Sequence, residues 1–206
     1  MKNRTVYCAI FCISILFFPN ALKAQDTQEV KTLFGNQNPF NSKDLGYFAS
    51  AAYGLTSIDG SSASLLQVRA GIDWKKTISF GAYATTSLNQ IKPDSETISS
   101  VYMDYWSAGG FIEYTIMSNN IIHLTLPVFL GYGEVEMDNE IGNAGFGEEN
   151  FFQIEPTALL EVNLHKHVRL NVGSGYRLVS NMNYRNLNQS DLSGFTGYIG
   201  FKVGLF

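Results

Sequence analysis

Strict alternation of apolar and polar residues, an even number of alternating segments, and connections that are short and long by turns predict an all-β chain. The expected fold is an eight-stranded antiparallel up-and-down transmembrane β-barrel with a narrow polar lumen. From Leu45 onward the period is two and helical spacing is nowhere sustained. The strands are expected at Leu45 to Ser57, Ser62 to Trp74, Thr77 to Gln90, Val101 to Ile116, Ile121 to Glu136, Asn150 to Leu164, Val168 to Ser180 and Ser193 to Phe206. Lys75-Lys76, Met117 to Asn120 and His165-Lys166-His167 make tight connections, whereas Ile91 to Ser100, Met137 to Glu149 and Asn181 to Leu192 are long and polar. Ile58 to Ser61 alone is short on the long-loop side. Eight strands return both ends to the side of the short turns, which in this architecture is periplasmic.

The faces of the strands say which side meets lipid. In the sixth strand Phe152, Ile154, Pro156, Ala158, Leu160, Val162 and Leu164 oppose Gln153, Glu155, Thr157, Glu161 and Asn163. In the seventh, Val168, Leu170, Val172, Tyr176 and Leu178 oppose Arg169, Asn171, Gly173, Gly175 and Arg177. A soluble barrel would turn the apolar face inward, but Gly71, Gly81, Gly109, Gly131, Gly133, Gly173, Gly175, Gly200 and Gly204 share the polar face. A water-exposed surface has no reason to forgo side chains there, whereas a narrow eight-stranded interior does. Trp74 and Tyr114 near the tight turns, with Phe152 and Phe195 near the long loops, fit two interfacial girdles.

Composition and ends agree. The 206 residues are 45% hydrophobic and 16% charged, enough for one folded domain. Residues 1–24 read as a signal peptide: Lys2 and Arg4, an apolar run from Val6 to Phe18, then Pro19 and a small residue at Ala24. The run is too short for a spanning anchor. Residues 25–44 read as a polar periplasmic tail, and residues 45–206 as the barrel. Loss of the leader takes fourteen bases to eleven against eighteen acids, a net charge of about −7 that argues against a nucleic-acid partner. Cys8 and Cys12 both leave with it, so no disulfide, thiolate nucleophile or cysteine metal site is expected in the mature chain.

Several strings resemble small Gram-negative outer-membrane proteins that carry an outer membrane protein β-barrel domain. They are Leu33-Phe34-Gly35-Asn36, the run Phe151-Phe152-Gln153-Ile154-Glu155-Pro156 leading to Leu160-Glu161-Val162-Asn163, then Val168-Arg169-Leu170, Gly175-Tyr176-Arg177 and Asp191-Leu192-Ser193-Gly194. The resemblance implies the fold, outer-membrane lipid as surroundings and no transferable catalytic residue. The last strand, with Ile199, Phe201, Val203 and Leu205 outward and Phe206 at its end, resembles the signal read by the barrel-assembly machinery. Phe206 departs from that pattern in sharing the parity of Gly200, Lys202 and Gly204.

Nine ionisable residues fall on the lumen face: Arg69, Asp73, Glu113, His123, Glu155, Glu161, Arg169, Arg177 and Lys202. In a lumen too narrow for bulk water they must pair, because an unpartnered buried charge costs several kcal/mol. If the sixth and seventh strands turn about Lys166, Glu155 lies opposite Arg177 and is expected to pair with it, with Glu161 diagonal to Arg169. These readings point to a non-enzymatic scaffold or surface-interaction protein with a closed, salt-bridged lumen, no cofactor and a surface ligand that the sequence does not name. A lipid-modifying outer-membrane enzyme needs a nucleophile, base and acid beside the lipid. His165 and His167 occupy one tight turn and His123 lies close to another, away from the outer rim. A narrow pore is the third reading. The acidic loop 137–149 lacks calcium-loop spacing and reads as solvated. Mass spectrometry of the purified protein is expected to find Gln25 at its N-terminus; a retained leader would refute the cleavage site.

Overall fold

The computed structural model describes residues 45–98, 100–139 and 147–206. The leader over residues 1–24, the tail over residues 25–44 and most of the acidic loop lie outside the described residues. The described chain forms β1 (Leu45–Ile58), β2 (Ser61–Trp74), β3 (Ile78–Ser87), β4 (Val101–Ile116), β5 (Ile122–Asn139), β6 (Glu148–His165) and β7 (Val168–Ser180). There follow a small hairpin of β8 (Asn183–Tyr184) and β9 (Leu187–Asn188), the single-turn helix α1 (Gln189–Leu192), and β10 (Gly194–Leu205). Eight strands close in the order β1-β10-β7-β6-β5-β4-β3-β2, each antiparallel to its neighbours. The seam runs from Tyr47 opposite Leu205 to Thr56 opposite Thr196. Antiparallel meandering needs no crossover, so every contact between strands other than the seam is local in sequence.

The turns follow their chemistry. Asp59 and Gly60 both have positive φ, the mirror-image turn that an Asp-Gly pair favours between twisted strands. Lys75 and Lys76 adopt the same positive-φ geometry without a glycine, at a cost of about 1–2 kcal/mol per residue. The third strand ends at Ser87 rather than Gln90, because the chain leaves the ladder there and touches β4 again only where Ile91 bridges Met103. The hairpin and helix between β7 and β10 were not expected from the polar composition of that loop. Arg185 supplies the positive φ of the hairpin turn, and Asn188 caps α1 while Asp191 reaches back to its backbone.

Side chains sort as the alternation predicts. Leu130, Leu160, Val172, Leu178, Ile199 and Phe201 stand exposed on the outer wall, where a membrane would solvate them. On the inner wall Gly71 faces Gly81 and Gly109 faces Gly131. A methyl carbon on Gly81 would lie 2.6 Å from the Cα of Gly71, and one on Gly109 2.5 Å from that of Gly131. Inward positions of neighbouring strands converge this closely only in a narrow barrel, which is why these sites are bare.

The strands are unequal in length. A tilted span needs about 9–11 residues, yet β5 and β6 have 18 each. Their outward faces change character past Trp106, Tyr132 and Phe152 to Asp104, Glu134, Glu136, Asp138 and Glu148, so the loop-side ends of β4–β6 rise out of the apolar band. Asp104 stands directly opposite Glu136, and Glu136 opposite Glu148. Like charges face each other across these projecting rungs, an arrangement that destabilises a ladder.

Placing arginine on the lipid face tests this assignment. Leu160→Arg is expected to cost about 2–4 kcal/mol of stability in urea titrations of vesicle-inserted protein, while Thr157→Ser, one turn of the pleat away on the inner wall, costs far less. Equal stability of the two variants would reverse inside and outside.

Candidate functional site: the lumen

All nine ionisable residues expected in the lumen are buried there. Six of them, from six different strands, form one network. Glu113 on β4 takes Arg69 Nη1 at 2.6 Å through one oxygen and Lys202 Nζ at 2.6 Å through the other. Glu161 on β6 takes Lys202 Nζ at 3.2 Å and lies 3.7 Å from Arg69 Nη2, so Lys202 bridges the two carboxylates. The second oxygen of Glu161 lies 3.2 Å from His123 Nε2 and 3.5 Å from Arg169 Nη1. His123 Nδ1 in turn sits 3.3 Å from the carbonyl of Asn120 in a tight turn.

Aromatic rings fill the space between these charges. Phe48, Tyr83, Phe111 and Phe129 form a buried cluster, with Phe206 packed against it. Lys202 Nζ is 4.3 Å from the Phe48 ring centre, and Arg69 sits 5.7–5.9 Å from the rings of Phe48, Phe111 and Phe129. The cations thus have carboxylates on one side and ring faces on the other. Phe206 turns inward, as its parity implies, and its ring centre lies 3.6 Å from Arg169 Cζ.

The remaining three charges take other partners. Asp73 accepts a hydrogen bond from the Ser79 hydroxyl. Glu155 accepts one from Tyr198 at 2.7 Å. Arg177 stands at the register position opposite Glu155 that the turn about Lys166 requires, between the pairs Ile154–Leu178 and Thr157–Gly175. Its guanidinium nevertheless turns to the loops: Nε donates to the Leu192 carbonyl at 2.8 Å, Nη2 approaches Thr56 Oγ1 at 3.5 Å, and the group lies 5.0 Å from the Tyr105 ring centre. The expected Glu155–Arg177 ion pair is therefore not formed. A carbonyl at the end of α1 competes for the guanidinium, and strand parity alone does not reveal it. Between these levels Tyr105 donates to Gln153 at 2.6 Å, and Gln153 donates to Tyr83 at 3.0 Å.

Above the polar layers the lumen becomes apolar, a feature the sequence reading did not foresee. Ile58, Leu65, Val101, Met103, Tyr105, Val135, Met137, Phe151 and Val179 form a dry core inside the loop-side end of the barrel. Met182, Leu187 and Leu192 from the β7–β10 connection, with Ile91 from the β3–β4 connection, are seated in it. This cap is tied at its rim. Asp59 N–H donates to the Asp191 carbonyl at 2.9 Å, Arg185 pairs with Glu96 at 2.9 Å, and Tyr184 donates to the Gly147 carbonyl at 2.9 Å.

Comparison with solved structures identifies the architecture. Neisserial surface protein A superposes with a TM-score of 0.55 over 78% of this chain and 96% of its own, at 14% identity. OprG from Pseudomonas aeruginosa gives 0.54 over 79% and 96%, at 9% identity. The chain has the fold of the small eight-stranded outer-membrane barrels. The outer-membrane enzyme PagL also matches, with a TM-score of 0.42 at 14% identity over 76% of this chain and 98% of its own. No protein-family model and no curated protein sequence matches the chain. A fold does not fix an activity, so function is argued from the lumen and the loops.

Chemically, the carboxylates of the network are met on every oxygen. Both carboxylates hold two or more cations each, and Glu113, Glu161 and Lys202 are fully buried. Replacing Lys202 with Met should cost about 3–5 kcal/mol, because it takes the shared cation from two buried carboxylates at once. A double-mutant cycle on Glu113 and Lys202 is expected to show a larger coupling than one on Glu155 and Arg177. Equal couplings would reject this division of partners.

Proposed function

We propose that the protein is a non-enzymatic outer-membrane barrel with a closed lumen, a scaffold whose outer loops meet the environment or a surface partner. The observation that carries this reading is the stopper in its mouth: the apolar core of β-strand residues and the Met182, Leu187 and Leu192 side chains seated in it. Neither water nor ions have a continuous polar path through such a core, since each polar group crossing it would lose its hydrogen bonds. Below it the ion-pair network supplies a second closure.

The same geometry weighs against acyl-transfer chemistry. The chain has three histidines; His165 and His167 lie at a tight turn, and His123 is buried against Glu161 at the same end. A base that activates a nucleophile must reach the reacting group, and these stand at the end of the barrel opposite the loops. Both barrel ends, Leu45 and Leu205, belong to the tight-turn side, which this reading places in the periplasm. β10 is then the segment offered to the barrel-assembly machinery, and outer-membrane lipid is the surrounding medium.

Planar-bilayer recordings of the purified protein test the closure: no steady ionic current is expected from the wild type. Incubation with lipopolysaccharide is expected to release no fatty acid. A stable open channel would overturn the closed lumen, and acyl release the non-enzymatic assignment.

A further inference from the structure

At the tight-turn end a cleft of about 380 Å³ opens at the seam of the barrel, between Leu45 and Gly46 at the start of β1, Asp73, Lys75 and Lys76 at the β2–β3 turn, and the end of β10. Asp73 lines it from the inner wall. Asp73 is 3% exposed, and while one oxygen takes the Ser79 hydroxyl, Oδ2 is buried with no hydrogen-bond partner among the described residues. Leaving such an acceptor unmet forfeits the hydrogen bonds it would make to water. Gly46 lies directly opposite Asp73, and a methyl carbon there would stand 2.1 Å from the Leu205 carbonyl oxygen and 3.2 Å from the Asp73 Cβ, so the seam backbone closes over this position and only a glycine fits.

The rim carries the opposite charge. Lys75 and Lys76 are held at the cleft by the positive-φ turn, with Lys75 Nζ 5.2 Å from the Trp74 ring centre. Lys76 makes no ion pair among the described residues. Leu45 and Leu205 are exposed on the lipid-facing wall beside it. From inside outward the order is a hydrogen-bond acceptor with negative charge, two ammonium groups, and an apolar flank at the depth that Trp74 marks as interfacial.

We propose that this cleft binds the headgroup of an ethanolamine phospholipid. The primary ammonium donates to Asp73 Oδ2, the phosphate meets Lys76 and Lys75, and the acyl chains run along Leu45 and Leu205. The assignment rests on the membrane-barrel reading. It also gives the two lysines in left-handed geometry a task that an Asn-Gly turn would not perform.

Choline phospholipid keeps the positive charge but has no N–H, and glycerol phospholipid has no cation, so the three headgroups separate the contributions. The mature protein is inserted into vesicles of equal parts phosphatidylethanolamine, phosphatidylcholine and phosphatidylglycerol, extracted in mild detergent, and read by native mass spectrometry for retained lipid. Phosphatidylethanolamine is expected at least tenfold above phosphatidylcholine. Asp73→Asn is expected to bring that preference within twofold. Lys76→Gln, an exposed turn substitution that leaves the barrel's heat-modifiable gel mobility intact, is expected to lower ethanolamine-lipid retention at least fivefold, and it decides the matter if Asp73→Asn does not fold. Equal retention of the ethanolamine and choline lipids, or retention indifferent to Lys76→Gln, overturns the site. A protein that inserts without discriminating refutes this site alone, whereas one that never enters vesicles refutes the membrane reading and the site with it.

Discussion

Lys202 stands between two carboxylates on the strands that flank β5, and the architecture of the lower lumen depends on that bridge. Its ammonium reaches Glu113 on β4 and Glu161 on β6 from a strand at the closing seam. Three charges in so small a volume are tolerable only when each is met from two or more directions. The surrounding residues supply those directions: Arg69 and Arg169 neutralise the carboxylates from the sides, His123 closes Glu161 toward a turn, and the Phe48 ring backs the ammonium. A strand displaced by one residue would turn its charge to lipid and leave the others unmatched, so the network also enforces register.

Glycine and charge are two answers to the same shortage of space. Gly71, Gly81, Gly109 and Gly131 leave four inward positions bare, and Phe111 and Tyr83 beside them fill the volume: the Phe111 ring tip lies 2.9 Å from where a methyl on Gly71 would be. Aromatic rings fill volume with few rotatable bonds, so a narrow lumen can be packed at modest entropic cost. The chain's pairing of many glycines with many aromatics is thus a single device seen from two sides.

Much of this was legible in the sequence because a barrel converts parity directly into inside and outside. The strand count, the β6–β7 register and the burial of all nine lumen charges follow from counting, although the turn itself is Lys166-His167 with His165 opposite Val168, and a register shift between Asn163 and His165 restores the expected pairing. Pairing partners were harder, since they depend on side chains crossing the lumen between strands that are not neighbours, as Arg69 crosses from β2 to Glu113 on β4. Arg177 shows the limit: its register was readable, but its partner, the Leu192 carbonyl, comes from a loop whose path has no period. The apolar stopper did leave a signal. Val101 and Met103 share the parity of Glu113, Val135 and Met137 that of Phe129, and Leu65 that of Arg69, so the inward face turns apolar at the loop end of each strand. Averaging each face over its whole length conceals that change.

The stopper is assembled from segments far apart in the chain: Ile58 and Leu65 come from the first hairpin, Ile91 from the β3–β4 connection, and Met182, Leu187 and Leu192 from the β7–β10 connection. No partial barrel can complete it. Until the final hairpin arrives, the upper strands expose Met103, Val135 and Phe151 on what becomes the inner wall, a sticky patch that a finished molecule hides. Seating the last loop is therefore the step that buries this patch, and substitutions that loosen α1 would leave every strand paired yet the apolar inner surface uncovered.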